Sequence, residues 1–221
     1  MSIQLQLAAL WLPKFLLIRQ LRHLAEQSTA ALDALLEEHA PEALSTLRRG
    51  GKSATDSLEA QQSALAAALT DRITALVAAI GEDETQRLGH KALFTMGVRV
   101  GEELRKLLEV SELPADLTAA AQIFYKTLGV HFNVEEADDE HTTWRIERCA
   151  LAPKCSGVTC RVLSGVEEGI IQGLNPWVSM TFDAYIPDGA PACIAHLNFL
   201  PRRSVVSSSN IPTPPPSPPG R

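Results

Sequence analysis

The stretch VSMTFDAYIPDGAPACIAHLNF, Val178 to Phe199, decides the fold. Val178, Met180, Phe182 and Ala184 alternate with Ser179, Thr181 and Asp183, and Cys193, Ala195, Leu197 and Phe199 alternate with His196 and Asn198. A period of two places each apolar set on one face of a strand. Pro187-Asp188-Gly189 supplies the turn between them. The reading is an antiparallel hairpin with one apolar face.

Working backwards, Val158 to Leu174 takes up helical spacing through Leu163, Val166, Ile170 and Leu174, and stops at Asn175-Pro176. Trp144 and Ile146 alternate with Arg145 and Glu147 as in a half-buried strand, and Val130 to Val134 is a second short strand. Before Gly129 the chain reads as helices. Leu16, Ile18, Leu21, Leu24, Ala31, Leu32, Leu35 and Leu36 mark the first, and Arg48-Arg49-Gly50-Gly51-Lys52 reads as a loop after it. Thr55 or Ser57 caps a helix through Leu58, Leu65, Leu69, Ile73, Leu76 and Ile80, with Gly81 at its end. Asp83 caps another from Glu84 to about Leu108, in which Gly97 and Gly101 invite a close neighbour. A further helix follows Pro114 and ends at Gly129.

The fold class is therefore α+β: N-terminal helices, then an antiparallel sheet with one inserted helix in the order β-β-α-β-β, helices covering one face. Residues 1–74 read as a helical extension and 75–200 as the α+β domain. Residues 201–221, with a serine run and repeated prolines, read as a disordered tail of polyproline II character.

Composition narrows the function classes. The 221 residues carry a net charge of −6, which argues against a nucleic-acid surface. Pro13, Lys14 and Arg19 interrupt the apolar opening, so no transmembrane span or secretory signal is expected, and the working location is cytoplasmic with reduced thiols.

The four cysteines, Cys149, Cys155, Cys160 and Cys193, all fall in the last third of the chain. As thiolates they are candidate ligands for zinc or an iron–sulfur cluster, although spacings of five and four favour neither. Cys160, near a helix start, is a candidate nucleophile because helix amides favour a thiolate there. Cys149 and Cys193 are candidate substrate contacts. Inert packing competes with all of these, since free cysteine is often just buried. Cys193 shares the parity of Leu197 and Phe199, whereas Cys149 has the wrong parity for the apolar face unless a bulge intervenes. His196 is a candidate proton carrier. Glu135, Glu136, Asp138, Asp139 and Glu140, flanked by His131 and His141, read as a solvated turn. Glu167 and Glu168 point about 100° apart on a helix and do not form a catalytic pair.

The run Arg148-Cys149-Ala150-Leu151-Ala152 through Cys160, with Gly165-Val166-Glu167-Glu168-Gly169, Leu174-Asn175-Pro176, Asp188-Gly189 and Cys193, resembles the L-2-amino-thiazoline-4-carboxylic acid hydrolase-like family. That family is similar in layout to 4-vinyl reductase-type small-molecule-binding domains. The resemblance covers about residues 75–200 and places Cys149, Cys160 and Cys193 at matching positions. It implies hydrolysis of a C–N bond in a small cyclic amidine, and assigns no catalytic residue; in a hydrolase reading Cys160 is the candidate nucleophile or metal-bound group and His196 the candidate proton carrier. Two other readings stand beside it. One is a non-catalytic module that binds a small molecule or a four-cysteine metal site. The other is an interaction protein whose N-terminal helices bind a partner or form a homodimer.

Overall fold

A computed structural model describes residues 1–49, 57–138 and 141–200. Expectations for the Gly50-Gly51-Lys52 loop, Thr55, Asp139, Glu140 and the proline-rich tail lie outside the described residues. The helices are α1 (Ile3–Leu10), α2 (Lys14–His39), α3 (Pro41–Arg49), α4 (Leu58–Ile80), α5 (Glu82–Leu108), α6 (Pro114–Leu128) and α7 (Gly157–Leu174). The strands are β1 (Val130–Ala137), β2 (His141–Cys149), β3 (Val178–Ala184) and β4 (Cys193–Phe199). All pairings are antiparallel, in the order β1-β2-β4-β3, so α7 carries the chain across β4 to the far edge.

The α+β reading and its strand order hold. Local signals act where expected: the Ser57 hydroxyl accepts the Ala60 amide at the start of α4, and Gly81 and Gly129 take positive φ at helix ends. Some boundaries differ. Arg48 and Arg49 belong to α3, which begins at Pro41, where a missing N–H costs nothing. Leu17 rather than Leu16 or Ile18 faces the core in α2. Asp83 lies within the first turn of α5, whose N-cap is Gly81.

One face of the sheet is buried. Trp144 and Ile146 of β2, Ala195 and Leu197 of β4, and Val178 and Met180 of β3 line it. Leu21, Leu24, Leu32 and Leu36 of α2 join the same buried cluster, as do Leu65, Leu69, Ile73 and Leu76 of α4. Residues of α2 and α4 thus share a core with the sheet. Gln62 of α4 seals the join, its buried amide donating to the Thr127 carbonyl at 2.8 Å.

The closest helix pair is α5 against α7. Gly97 and Gly101 do admit a neighbouring backbone, as their spacing predicts, and α7 answers with glycines of its own. A methyl at Gly97 would lie 2.6 Å from the Val166 carbonyl oxygen, and one at Gly165 2.5 Å from that of His90. Gly169 and Gly173 likewise abut the carbonyls of Phe94 and Val98. With no Cβ between them, the two backbones touch along several turns. This contact fixes the direction in which the next residues of α7, Glu167 and Glu168, project.

Candidate functional site

The site is built around the start of α7 and the end of β2. Between His131 and Phe132 the register of β1 against β2 slips, so that His131 faces Arg148 while Phe132 faces Ile146, leaving Glu147 as the extra residue. This bulge reverses the parity of the residues beyond it. It turns Cys149 towards the core, opposite Val130, which strict alternation from Trp144 would have forbidden.

Residues 149–153 then form a wall between two spaces. On the outer side Cys149, Ala150, Ala152 and Pro153 line an open groove of about 630 Å³, with His131, Arg148, Ile186 and Pro187 among the residues around it. On the inner side Leu151 faces a small cavity of about 30 Å³, shared with Leu24, Leu65, Leu69, Leu128, Leu163 and Glu167. Helices α2, α4, α6 and α7 all contribute to its lining.

Glu167 is the one carboxyl in that apolar lining. It lines the cavity, and desolvation pushes its pKa up to about 7. The Tyr125 hydroxyl donates to Glu167 Oε2 at 2.9 Å, which opposes the shift, and the Glu168 charge adds to it. Tyr125 is 1% exposed and sits against Phe132 and Trp144, whose rings stack at 4.3 Å. The buried Trp144 Nε1–H finds no acceptor among the described residues. Glu168 points elsewhere, to His90 Nε2 at 3.0 Å, and that hydrogen bond raises the imidazole pKa. The two carboxyls diverge as their helical positions require.

The cysteines separate into different roles. Burial, with the Glu167 charge next in importance, pushes the Cys149 thiol up to about 12. Cys193 is buried on β4, accepts the Ile186 amide at 3.3 Å and is raised mainly by desolvation. Cys155 and Cys160 form a hydrogen-bonded pair, and Thr70 Oγ1 lies 4.0 Å from the Cys155 sulfur. The hydrogen bond from Cys160 lowers the Cys155 pKa and raises that of Cys160 far above the usual thiol range. Of the two thiols, Cys155 is therefore the more readily ionised. Alkylation with iodoacetamide at neutral pH, followed by peptide mapping, should label Cys155 first and leave Cys149 and Cys160 slow; faster labelling of Cys160 would contradict this order.

These positions bear on two expectations. Cys160, the candidate nucleophile, donates its proton in a hydrogen bond to Cys155, and that bond raises its pKa. His196 lies on the other face of the sheet, its Nε2 2.9 Å from Asp183 and its Nδ1 3.3 Å from Thr143 Oγ1. The alternation of β4 puts His196 opposite Cys193, Ala195 and Leu197, so the sheet stands between it and the thiols. For the zinc or iron–sulfur reading, no three His, Cys, Asp or Glu side chains form a metal-holding group among the described residues. Cys155 and Cys160 are hydrogen-bonded, and Cys149 and Cys193 are near enough to raise the Cys160 thiol electrostatically, but the four do not close into one site. In the acidic turn, Glu135 pairs with Arg145, and Asp138 accepts the His141 amide at 2.6 Å.

Tyr125, Glu167 and the leucines of α2 and α4 were not among the expected site residues. One signal for Glu167 existed: it lies four residues after Leu163 and next to Val166, on the apolar side of α7.

No family model matches the chain, and no curated protein does. Solved structures do. A trafficking protein particle complex subunit 3 from Naegleria fowleri, covalently bound to palmitic acid, is 13% identical, with 64% of this chain and 96% of that chain covered at a TM-score of 0.51. The phenol-responsive sensory domain of the transcription activator PoxR, with phenol, is 17% identical, covering 62% and 74% at 0.48. An H-NOX protein from S. oneidensis in the Fe(II)NO ligation state is 17% identical, covering 85% and 98% at 0.39. The likeness to the trafficking subunit is one of fold. None of the three is an aminothiazoline hydrolase or a 4-vinyl reductase, so the resemblance seen in the sequence gains no support from them.

Proposed function

We propose that this chain is a small-molecule-binding module, with the ligand anchored at Glu167. The observation that carries the reading is a single carboxyl, tied to Tyr125, in a cavity otherwise lined by six leucines, Val166 and the Ser28 hydroxyl, which is itself bonded to the Leu24 carbonyl. Ligand sites combine apolar walls with a few placed polar groups, and a carboxyl whose pKa is displaced by burial is a recognised mark of one. The matching ligand is a small, largely apolar molecule with one hydrogen-bond donor. About 30 Å³ accommodates one water-sized group, so a larger ligand displaces leucine side chains or the 149–153 wall. The 630 Å³ groove outside that wall offers the approach. A solved protein of this fold carries a fatty acid covalently, which is consistent with an apolar guest.

This reading is the non-catalytic alternative raised by the sequence. The hydrolase reading lacks an assembled pair, with Cys160 and His196 on opposite sides of the sheet. Calorimetric titration with benzyl alcohol and toluene, at a pH above 7, tests the proposal. Benzyl alcohol should bind about tenfold tighter than toluene, the worth of a hydrogen bond to a charged acceptor. Glu167→Leu should remove that difference. Equal affinities in the wild type, or no binding of either probe, would overturn it.

A further inference from the structure

One surface is as unusual as the buried carboxyl. Ile3 is 76%, Leu10 83% and Trp11 77% exposed, and Leu7 and Phe15 extend the same patch. Ile3, Leu7 and Leu10 recur at steps of four and three, so they form one stripe along α1. Leu5, on the opposite side, is the single buried residue of that helix. α1 is held in this orientation: Leu5 joins the core cluster, and the Ser2 hydroxyl donates to the Leu108 carbonyl at 2.6 Å. The ordinary amphipathic pattern would put those leucines inward. Here they face out by construction.

Charge distinguishes this region from the rest of the chain. Residues 1–25 contain no aspartate or glutamate, although the whole chain carries −6. Lys14, Arg19 and Arg22 are exposed close behind Trp11 and Phe15, with Glu59 of α4 the acidic neighbour of Lys14. Exposed Trp, Phe and Leu beside basic side chains are what an interfacial helix presents to a bilayer. The aromatic rings settle at headgroup level while the cations meet anionic lipid.

We propose that α1 and its junction with α2 dock on an anionic phospholipid surface. A second copy of this chain fits less well, because a twofold contact would bring the two basic clusters together. The docking needs no spanning segment. α4 is long and apolar enough to cross a membrane, but Leu65, Leu69, Ile73 and Leu76 are committed to the core.

The test is co-sedimentation of the full chain with vesicles of phosphatidylcholine alone, or with about a third phosphatidylserine. The wild type is expected to pellet with the anionic vesicles and to bind neutral ones about tenfold less. The double variant Leu10→Gln/Trp11→Gln should lose binding to both while melting as the wild type does, since both side chains are exposed. Lys14→Glu/Arg19→Glu should lose the preference for phosphatidylserine and keep the weak binding to neutral vesicles. Equal recovery in the supernatant with and without vesicles would overturn the proposal. So would binding that survives Leu10→Gln/Trp11→Gln. A dimer in light scattering that the same variant abolishes, without vesicle binding, would assign the patch to a second copy instead.

Discussion

Gly169→Val is expected to lower the melting temperature by roughly 6–12 °C. The cause is steric. A Cβ at Gly169 would collide with the Phe94 carbonyl and lie 2.9 Å from the Val98 amide nitrogen, both backbone atoms of α5 that cannot swing aside. Accommodating it means separating α5 and α7 along a contact several turns long, at a cost of about 3 kcal/mol. Gly81→Ala provides the contrast. Gly81 has open space around it with φ of +81° and ψ of 168°, so its cost is conformational alone, roughly 1–3 kcal/mol. Thermal melting checks the argument; a Gly169→Val variant that melts with the wild type would mean that α5 and α7 are not bound backbone to backbone.

Stability should also fall as pH rises from 4.5 towards 7, and Glu167 should be the reason. A carboxyl raised by burial to about 7 still holds its proton in the native state at a pH where the unfolded chain has released it. The contribution is fully present below the ordinary carboxyl value of 4.5 and is lost as pH passes through 7. The amount is up to roughly 3 kcal/mol. Glu167→Gln keeps the shape and an acceptor for Tyr125 but cannot ionise. It should therefore be more stable than the wild type at pH values above 7, and its urea midpoint should vary less between those limits. Tyr125 and Cys149, the neighbours of Glu167, hold their protons more tightly than usual, and His90, raised by its bond to Glu168, adds a loss of the same sign only above 6.5. A wild-type profile that is flat there would place Glu167 in contact with water.

Much of the architecture is legible because local rules act alone. The Val178–Phe199 hairpin follows from period-two alternation and a Pro-Asp-Gly turn, and the ends of α4 and α6 from Gly81 and Gly129. The site is less legible because its parts are joined across the chain. Glu147 creates the bulge that turns Cys149 inward, yet nothing in its own identity marks it as the extra residue. Leu24, Leu65 and Leu69 line the Glu167 cavity although they come from the segment that reads as a separate extension. The charge state of Cys160 depends on Cys155, five residues away, and no spacing rule states which of two thiols keeps the proton. His196 has the parity of the outer face in the sequence itself, so its distance from the thiols could have been read there.

The central claim, a ligand site formed by Glu167 and the surrounding leucines, is tested most directly by titrating benzyl alcohol into protein carrying ¹³C-labelled leucine methyls. The expected result is saturable shifts at Leu69, Leu128, Leu151 and Leu163, with Leu36 and Leu44 unmoved and the response weakened in Glu167→Gln. Shifts confined to exposed leucines such as Leu7 and Leu10, with the cavity methyls unchanged at saturation, would contradict it.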